Sequence, residues 1–256
     1  MKPASTAVLA LVLLAGPAAA DDARAQDTSA PAAQTCEVPA YLLSTESTLP
    51  KVAEAIRNGR PLTILVVGSR SSTIASSENS AYPARLQAAL KEKLPSLQVN
   101  LSVELQNGKT AEDVDAGLVK LVEAKRPTLV IWQTGTVDAM RAVDPDDFRS
   151  AIDSGVAALQ EAGTDVVLLN LQYSPRTETM ISAPPYLDNM KVVAQQHSVP
   201  LFDRFAIMRH WNDAGDFDLF STFHGTDMAK RVHACLGRAL SKFVLDAARL
   251  DPAQQN

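Results

Sequence analysis

Residues 62–73 read Leu62-Thr63-Ile64-Leu65-Val66-Val67-Gly68-Ser69-Arg70-Ser71-Ser72-Thr73. The first six are apolar or β-branched and carry no charge, the pattern of a strand covered on both faces, as in a parallel sheet. Gly68 stops the run, and a knot of hydroxyl residues follows with Arg70 among them. Ligands of open α/β sheets bind beyond the carboxyl ends of the strands. The stretch therefore reads either as the wall of a site or as an ordinary strand-to-helix loop, where Gly and Ser are common.

Working outward, strands and helices alternate. Upstream, Pro50 opens a short helix with Val52, Ala53 and Ile56 on one face, closed by Asn58-Gly59. Downstream, Tyr82-Pro83 starts a helix whose buried face is Leu86, Leu90 and Leu94. Val99, Leu101 and Val103 alternate in a second strand ending at Gln106-Asn107-Gly108. Thr110, with Asp113 three residues on, caps a helix carrying Val114, Leu118, Leu121 and Val122. A third strand, Leu129 to Trp132, ends in Gln133-Thr134-Gly135-Thr136-Val137-Asp138. A long helix from Asp144-Pro145 precedes a fourth strand, Val166 to Leu169, and the loop Gln172-Tyr173-Ser174-Pro175. A helix over 185–196, a short fifth strand over 199–202 and a last helix after His224 complete the pattern. This alternation predicts a three-layer α/β/α sandwich around a doubly wound five-stranded parallel sheet, with a flavodoxin-like strand order.

The 256 residues, 46% hydrophobic content and formal charge of −5 fit one globular domain. The mild acidity gives no support for nucleic acid or an anionic membrane as partner. Lys2, the apolar run Ala7 to Ala15, and Gly16-Pro17-Ala18-Ala19-Ala20 read as a secretory signal peptide cleaved after Ala20 or Ala25. Export to the periplasm or beyond is the expectation. No stretch reaches the length of a membrane span. The expected organisation is a signal peptide over 1–25, a disordered leader and N-terminal helix over 26–59, one domain over 60–250 and a tail over 251–256. Cys36 and Cys235 are an even pair in a chain bound for an oxidising compartment, which suggests a disulfide. A closed loop of this length stabilises by roughly 5 kcal/mol in the chain-entropy model. A monomer is expected.

The carboxyl edge of such a sheet gathers Ser69 to Thr73, Gly108, Gly135 to Asp138, Gln172 to Ser174, and His224 from the last loop. A serine cluster, glycine-flanked amides and a late histidine are the parts of a nucleophilic hydrolase. Amides beside glycine can approach a developing oxyanion closely. No G-x-G-x-x-G or G-x-x-x-x-G-K-[ST] follows the first strand, which argues against a nucleotide-binding flavodoxin-like protein.

From about Arg60 onward the chain resembles the SGNH/GDSL hydrolase superfamily. The resemblance rests on VVGSRSST, the glycine of QNGKTAEDV, LVIWQTGTVDAM, the Tyr82-Pro83-Ala84-Arg85-Leu86 helix start, and the histidine of FSTFHGTD. It implies esterase or lipase chemistry on a small-molecule or glycan ester, often deacetylation of sugars or cell-wall polymers, with no metal or organic cofactor. The departures from the family pattern are specific. Counted from Gly68, the nucleophile position of G-D-S holds Arg70; with Ser69 in the glycine place, Ser71 becomes the nucleophile, and Ser71 is preferred here. Val137 replaces the oxyanion asparagine of G-x-N-D, and Ser221 replaces the aspartate of D-x-x-H. The resemblance makes His224 the base, oriented by Asp218 or by a backbone carbonyl. Ser69, Gly108, Gly135, Asp138 and Tyr173 are expected to line the site, although Tyr173, like Tyr186, also suits simple packing. Trp132 reads as core and Trp211 suits either core or rim. His197 and His210 read as surface residues, and His233 falls in the last helix beside Cys235. Two functions remain open: a secreted serine esterase, or a binding or accessory protein for envelope polysaccharide on the same fold.

Overall fold

The structure, a computed structural model, describes residues 36–219 and 225–250. The segment read as a signal peptide, Ser221 and His224 lie outside the described residues. In chain order the helices are α1 (Ala40–Leu43), α2 (Pro50–Arg57), α3 (Tyr82–Lys93), α4 (Ala111–Lys125), α5 (Thr136–Met140), α6 (Pro145–Glu161), α7 (Pro175–Met180), α8 (Pro184–Gln196), α9 (Arg204–Asp213) and α10 (Gly225–Ala247). The strands are β1 (Leu62–Gly68), β2 (Val99–Leu105), β3 (Leu129–Gln133), β4 (Asp165–Leu169) and β5 (Leu201–Phe202).

All five strands are parallel, in the order β2-β1-β3-β4-β5. This is the doubly wound, flavodoxin-like order that the alternation predicts. The central strands β1, β3 and β4 are apolar and almost wholly buried, because helices cover both faces of a parallel sheet. On one side α3 packs along α10; on the other α4, α6 and α8 pack in succession. α3 and α10 approach closely because Gly237 faces the first helix's backbone. A Cβ there would stand 2.8 Å from the Leu86 nitrogen. α4 begins with the expected capping box, Thr110 Oγ1 accepting from Asp113 N while the Asp113 carboxylate accepts from Thr110 N.

The sequence sets residues 26–59 outside the domain, but the structure builds 36–59 into it. Leu49 and Val52 are fully buried, Leu49 N donates to Ala247 O at 3.0 Å, and Trp211 Nε1 donates to Glu37 O at 2.8 Å. Trp211 is therefore core, not rim. The Cys36–Cys235 disulfide, with Cα atoms 5.4 Å apart, ties the start of this stretch to α10. Among the described residues no helix is long and apolar enough to cross a membrane.

At the amino edge of the sheet, Asp165 opens β4, and its Oδ2 accepts from Val52 N at 2.9 Å, in the first turn of α2. Burial outweighs this bond and pushes the carboxyl up from 3.8 to about 6. The folded state therefore holds this proton more tightly than the unfolded chain. The group's contribution to stability is full below about pH 4 and is lost as pH rises through about 6. Urea unfolding of the wild type and Asp165→Asn across pH 3.5–8 should show a stability difference that moves in favour of the asparagine variant between about pH 4 and 6 and is flat above that. A difference constant across the whole range would refute the assignment.

Candidate active site

β1 and β3 end side by side, with Val67 opposite Trp132 in the register. Their next residues, Gly68 and Gln133, open the carboxyl edge. Gly68 leads into a 3-10 turn, Arg70–Ser72, closed by Ser72 N donating to Ser69 O at 2.8 Å. This tight turn points the Ser69, Ser71 and Ser72 hydroxyls at one side chain, Gln133. Gly68 is needed there, because a Cβ on it would collide with the Ser72 side chain.

The amide of Gln133 is the hub. Its Nε2 donates to Ser71 Oγ at 2.8 Å and to Ser69 Oγ at 3.0 Å. Its Oε1 accepts from Ser72 Oγ at 2.6 Å, Arg204 Nη1 at 3.1 Å and Tyr82 OH at 3.2 Å. A guanidinium has donors only, so the oxygen of the amide must face Arg204 and the nitrogen must face the two serines. Ser71 Oγ also accepts from Arg204 Nη1 at 3.3 Å. With two N–H groups directed at its lone pairs, the Ser71 hydroxyl has its own proton left for the cleft.

That cleft holds about 410 Å³ and is walled by Ser69, Ser71, Ile74, Gly108, Val137 and His233, with Arg70 and Met140 also on it. Arg70, in the register position of the family's nucleophile, is exposed. His233, from α10, is a wall residue that sequence reasoning missed. Its Nδ1 accepts from Tyr82 N at 2.9 Å, so the neutral ring carries its hydrogen on Nε2 and is a donor. Burial, with the Arg204 charge adding to it, lowers its pKa to about 4, so the ring is neutral at pH 7. Tyr82, wholly buried, is pushed above the usual phenol range by burial and is neutral too.

The other expected site residues divide. Gly108 lines the cleft in a left-handed conformation, φ +73°. Gly135, φ +93°, has no room for a side chain, since a Cβ would meet Leu171 Cδ1 at 2.5 Å. Its backbone N–H faces the Asp138 carboxylate. Asp138 is buried beside the cleft, and its Oδ1 accepts from Ala111 N at 2.8 Å, anchoring the first turn of α4. Burial raises its pKa against the backbone N–H groups of Ala111, Asp138 and Gly135. Tyr173 lies in the core, edge-on to Phe205 at 5.2 Å between ring centroids, and does not line the cleft. Tyr186 packs on Phe148 in the same way. Asp218 is exposed between α9 and α10. His197 pairs with Asp153 at 2.8 Å, where α6 and α8 meet. Among the described residues no cluster of His, Cys, Asp and Glu is arranged to hold a metal.

Gln133, Tyr82, Arg204 and His233 are the polar residues that sequence reasoning passed over. Gln133 left a trace as a polar residue at the end of an otherwise apolar strand, and Tyr82 as the start of a helix; Arg204 left none.

A family model, the non-GDSL lipase-like family, matches residues 35–250. The chain belongs to that family. The name suits residues 68–71, which read Gly-Ser-Arg-Ser in place of the G-D-S block. No curated protein matches this lipase-like chain by sequence. Solved structures share its fold, which is that of SGNH hydrolases. TesA is 21% identical over 71% of this chain and 99% of its own, with TM-score 0.55. The psychrotrophic esterase EstA from Pseudoalteromonas sp. is 15% identical over 73% and 99%, with TM-score 0.57. Axe2, an acetylxylan esterase from Geobacillus stearothermophilus, is 18% identical over 72% and 94%, with TM-score 0.58.

Replacing the hub tests the network. Gln133→Leu leaves Arg204 Nη1 with one acceptor fewer and the hydroxyls of Ser72 and Tyr82 with only each other. The expected loss is about 1–3 kcal/mol, the desolvation penalty of buried groups left unmade, measured by urea unfolding. A variant as stable as wild type would show that the network does not hold the edge together.

Proposed function

We propose that the protein is a serine-dependent carboxylic-ester hydrolase, with Ser71 as nucleophile. One observation carries this reading: on the cleft wall, Ser71 Oγ accepts from Gln133 Nε2 at 2.8 Å and from Arg204 Nη1 at 3.3 Å, leaving its proton facing the cleft. Donors on the oxygen favour the charge that grows there as the proton leaves. Ser71 Oγ bonds to the ester carbonyl carbon, and its proton passes to a base on the open side. His224, matched to the family histidine by sequence, is the residue proposed for that transfer. His233 is unsuited to it, since its Nδ1 is occupied and its Nε2 already carries hydrogen. The same base returns the proton to the departing alcohol, and water then releases the acyl group from Ser71. The Gly108 amide and His233 Nε2–H are the proposed donors to the carbonyl oxygen, in place of the missing asparagine at Val137.

The cleft suits a short acyl group, and Ile74, Val137 and Met140 supply apolar surface for it. Acetylated glycans of the cell envelope fit this reading, given that Axe2 is an acetylxylan esterase. Export is proposed with it, supported by the Cys36–Cys235 disulfide.

A second reading has its own observation. Val137 and Arg70 both line the cleft where family members place an oxyanion donor and the nucleophile, which favours a glycan-binding protein that does not hydrolyse. One experiment separates the two. The purified chain should hydrolyse p-nitrophenyl acetate and take up one fluorophosphonate label, and Ser71→Ala should lose both while Ser69→Ala keeps the label. A phosphonate is an apt probe, since the EstA structure is of the enzyme inhibited by monoethylphosphonate. A wild type that neither turns over the ester nor labels would end the esterase reading and leave the binding one.

A further inference from the structure

Arg204 is the first residue of α9, directly after β5, and it is 1% exposed. A buried guanidinium ordinarily has a carboxylate beside it, because a lone charge in the interior is costly. This one does not. Its Nη1 reaches Gln133 Oε1 and Ser71 Oγ, while Nε and Nη2 have no partner among the described residues. Among the described residues the groups it faces are uncharged: Ser71 from the turn after β1, Gln133 from β3, Tyr82 from α3 and His233 from α10. Burial lowers its pKa only to about 10, so it remains a cation at neutral pH.

This is a cation held in place at the expense of stability and aimed at one hydroxyl. We propose that Arg204 is a catalytic residue whose counter-charge is the negative charge that forms on Ser71 Oγ as the serine attacks. The inference rests on the reading of Ser71 as nucleophile. Fixed charges placed where charge develops, in a site closed to water, need no reorganisation at the moment of reaction. Arg204 acts twice: directly through Nη1 on Ser71 Oγ, and through Gln133, whose amide it orients so that Nε2 also faces that oxygen. The proton still leaves to the base on the cleft side, and Arg204 neither gives nor takes one.

The test separates this role from a structural one because the two predict opposite signs. Arg204→Met fills the same space without charge. It should lower kcat for p-nitrophenyl acetate, and the rate of fluorophosphonate labelling, by about a hundredfold or more, with KM little changed. Its melting temperature should equal or exceed that of wild type, since an unpaired buried charge is gone. Arg204→Lys keeps a charge but not the fork of donors, and should recover part of the labelling rate. An Arg204→Met protein that melts well below wild type, or fails to fold, would make Arg204 a structural residue and overturn the proposal. So would a folded variant that labels within about threefold of wild type. A wild type that is inert to both ester and probe would instead remove the esterase reading and this proposal with it.

Discussion

A guanidinium can only donate, and that constraint organises the carboxyl edge of this sheet. Arg204 lies buried behind Gln133 and obliges the amide oxygen to face it. The amide nitrogen then faces outward to Ser69 and Ser71, and both serines become acceptors. Ser72 and Tyr82 complete the ring around the oxygen. The turn after β1, the end of β3, the start of α3 and the start of α9 are thus held by one amide. α10 joins them through His233, whose Nδ1 takes the first backbone N–H of α3.

The two edges of the sheet handle buried charge differently. At the amino edge the Asp165 carboxylate caps α2 and titrates at about 6, so below that pH its burial is relieved by a proton. At the carboxyl edge the Arg204 charge has no such outlet, because a guanidinium does not release its proton in the physiological range. A structural role favours the first arrangement. The second places unfavourable electrostatics beside a hydroxyl, which accords with the catalytic role proposed for Arg204. The rest of the fold offsets them amply: buried central strands, two helical layers and a disulfide that closes almost the whole described chain. Asp138 shows the difference within the site itself. It sits beside the cleft, yet its carboxylate is spent on the first turn of α4.

Much of the fold was legible in the sequence because it depends on local pattern. The β-branched run of β1, the period of Leu86, Leu90 and Leu94, and the Thr110–Asp113 cap each declare their element without reference to a partner. The even cysteine pair declared its link because no other cysteine competes. The attachment of residues 36–59 was not legible for the opposite reason: it depends on Trp211, Ala247 and Asp165, more than a hundred residues away. The candidate site was half legible. The hydroxyl turn and Gly108 were marked by position at strand ends. Tyr173, equally well marked, turned inward onto Phe205, a choice of rotamer and packing that strand position does not set.

By itself, then, the sequence determined a parallel α/β/α sandwich, its strand order, and a serine-rich turn at the edge where such sheets bind ligands. It also showed that this turn departs from the G-D-S pattern. Only the tertiary structure decided what the turn faces. Gln133, Arg204 and His233 come from three separate elements, and their side chains meet Ser71 or the same cleft wall because a parallel sheet brings distant strand ends to one edge. Periodicity reports which face of an element is buried, but not which polar group will be buried against which. That is settled by long-range packing, and here it set under the serine a cation that no carboxylate among the described residues pairs with.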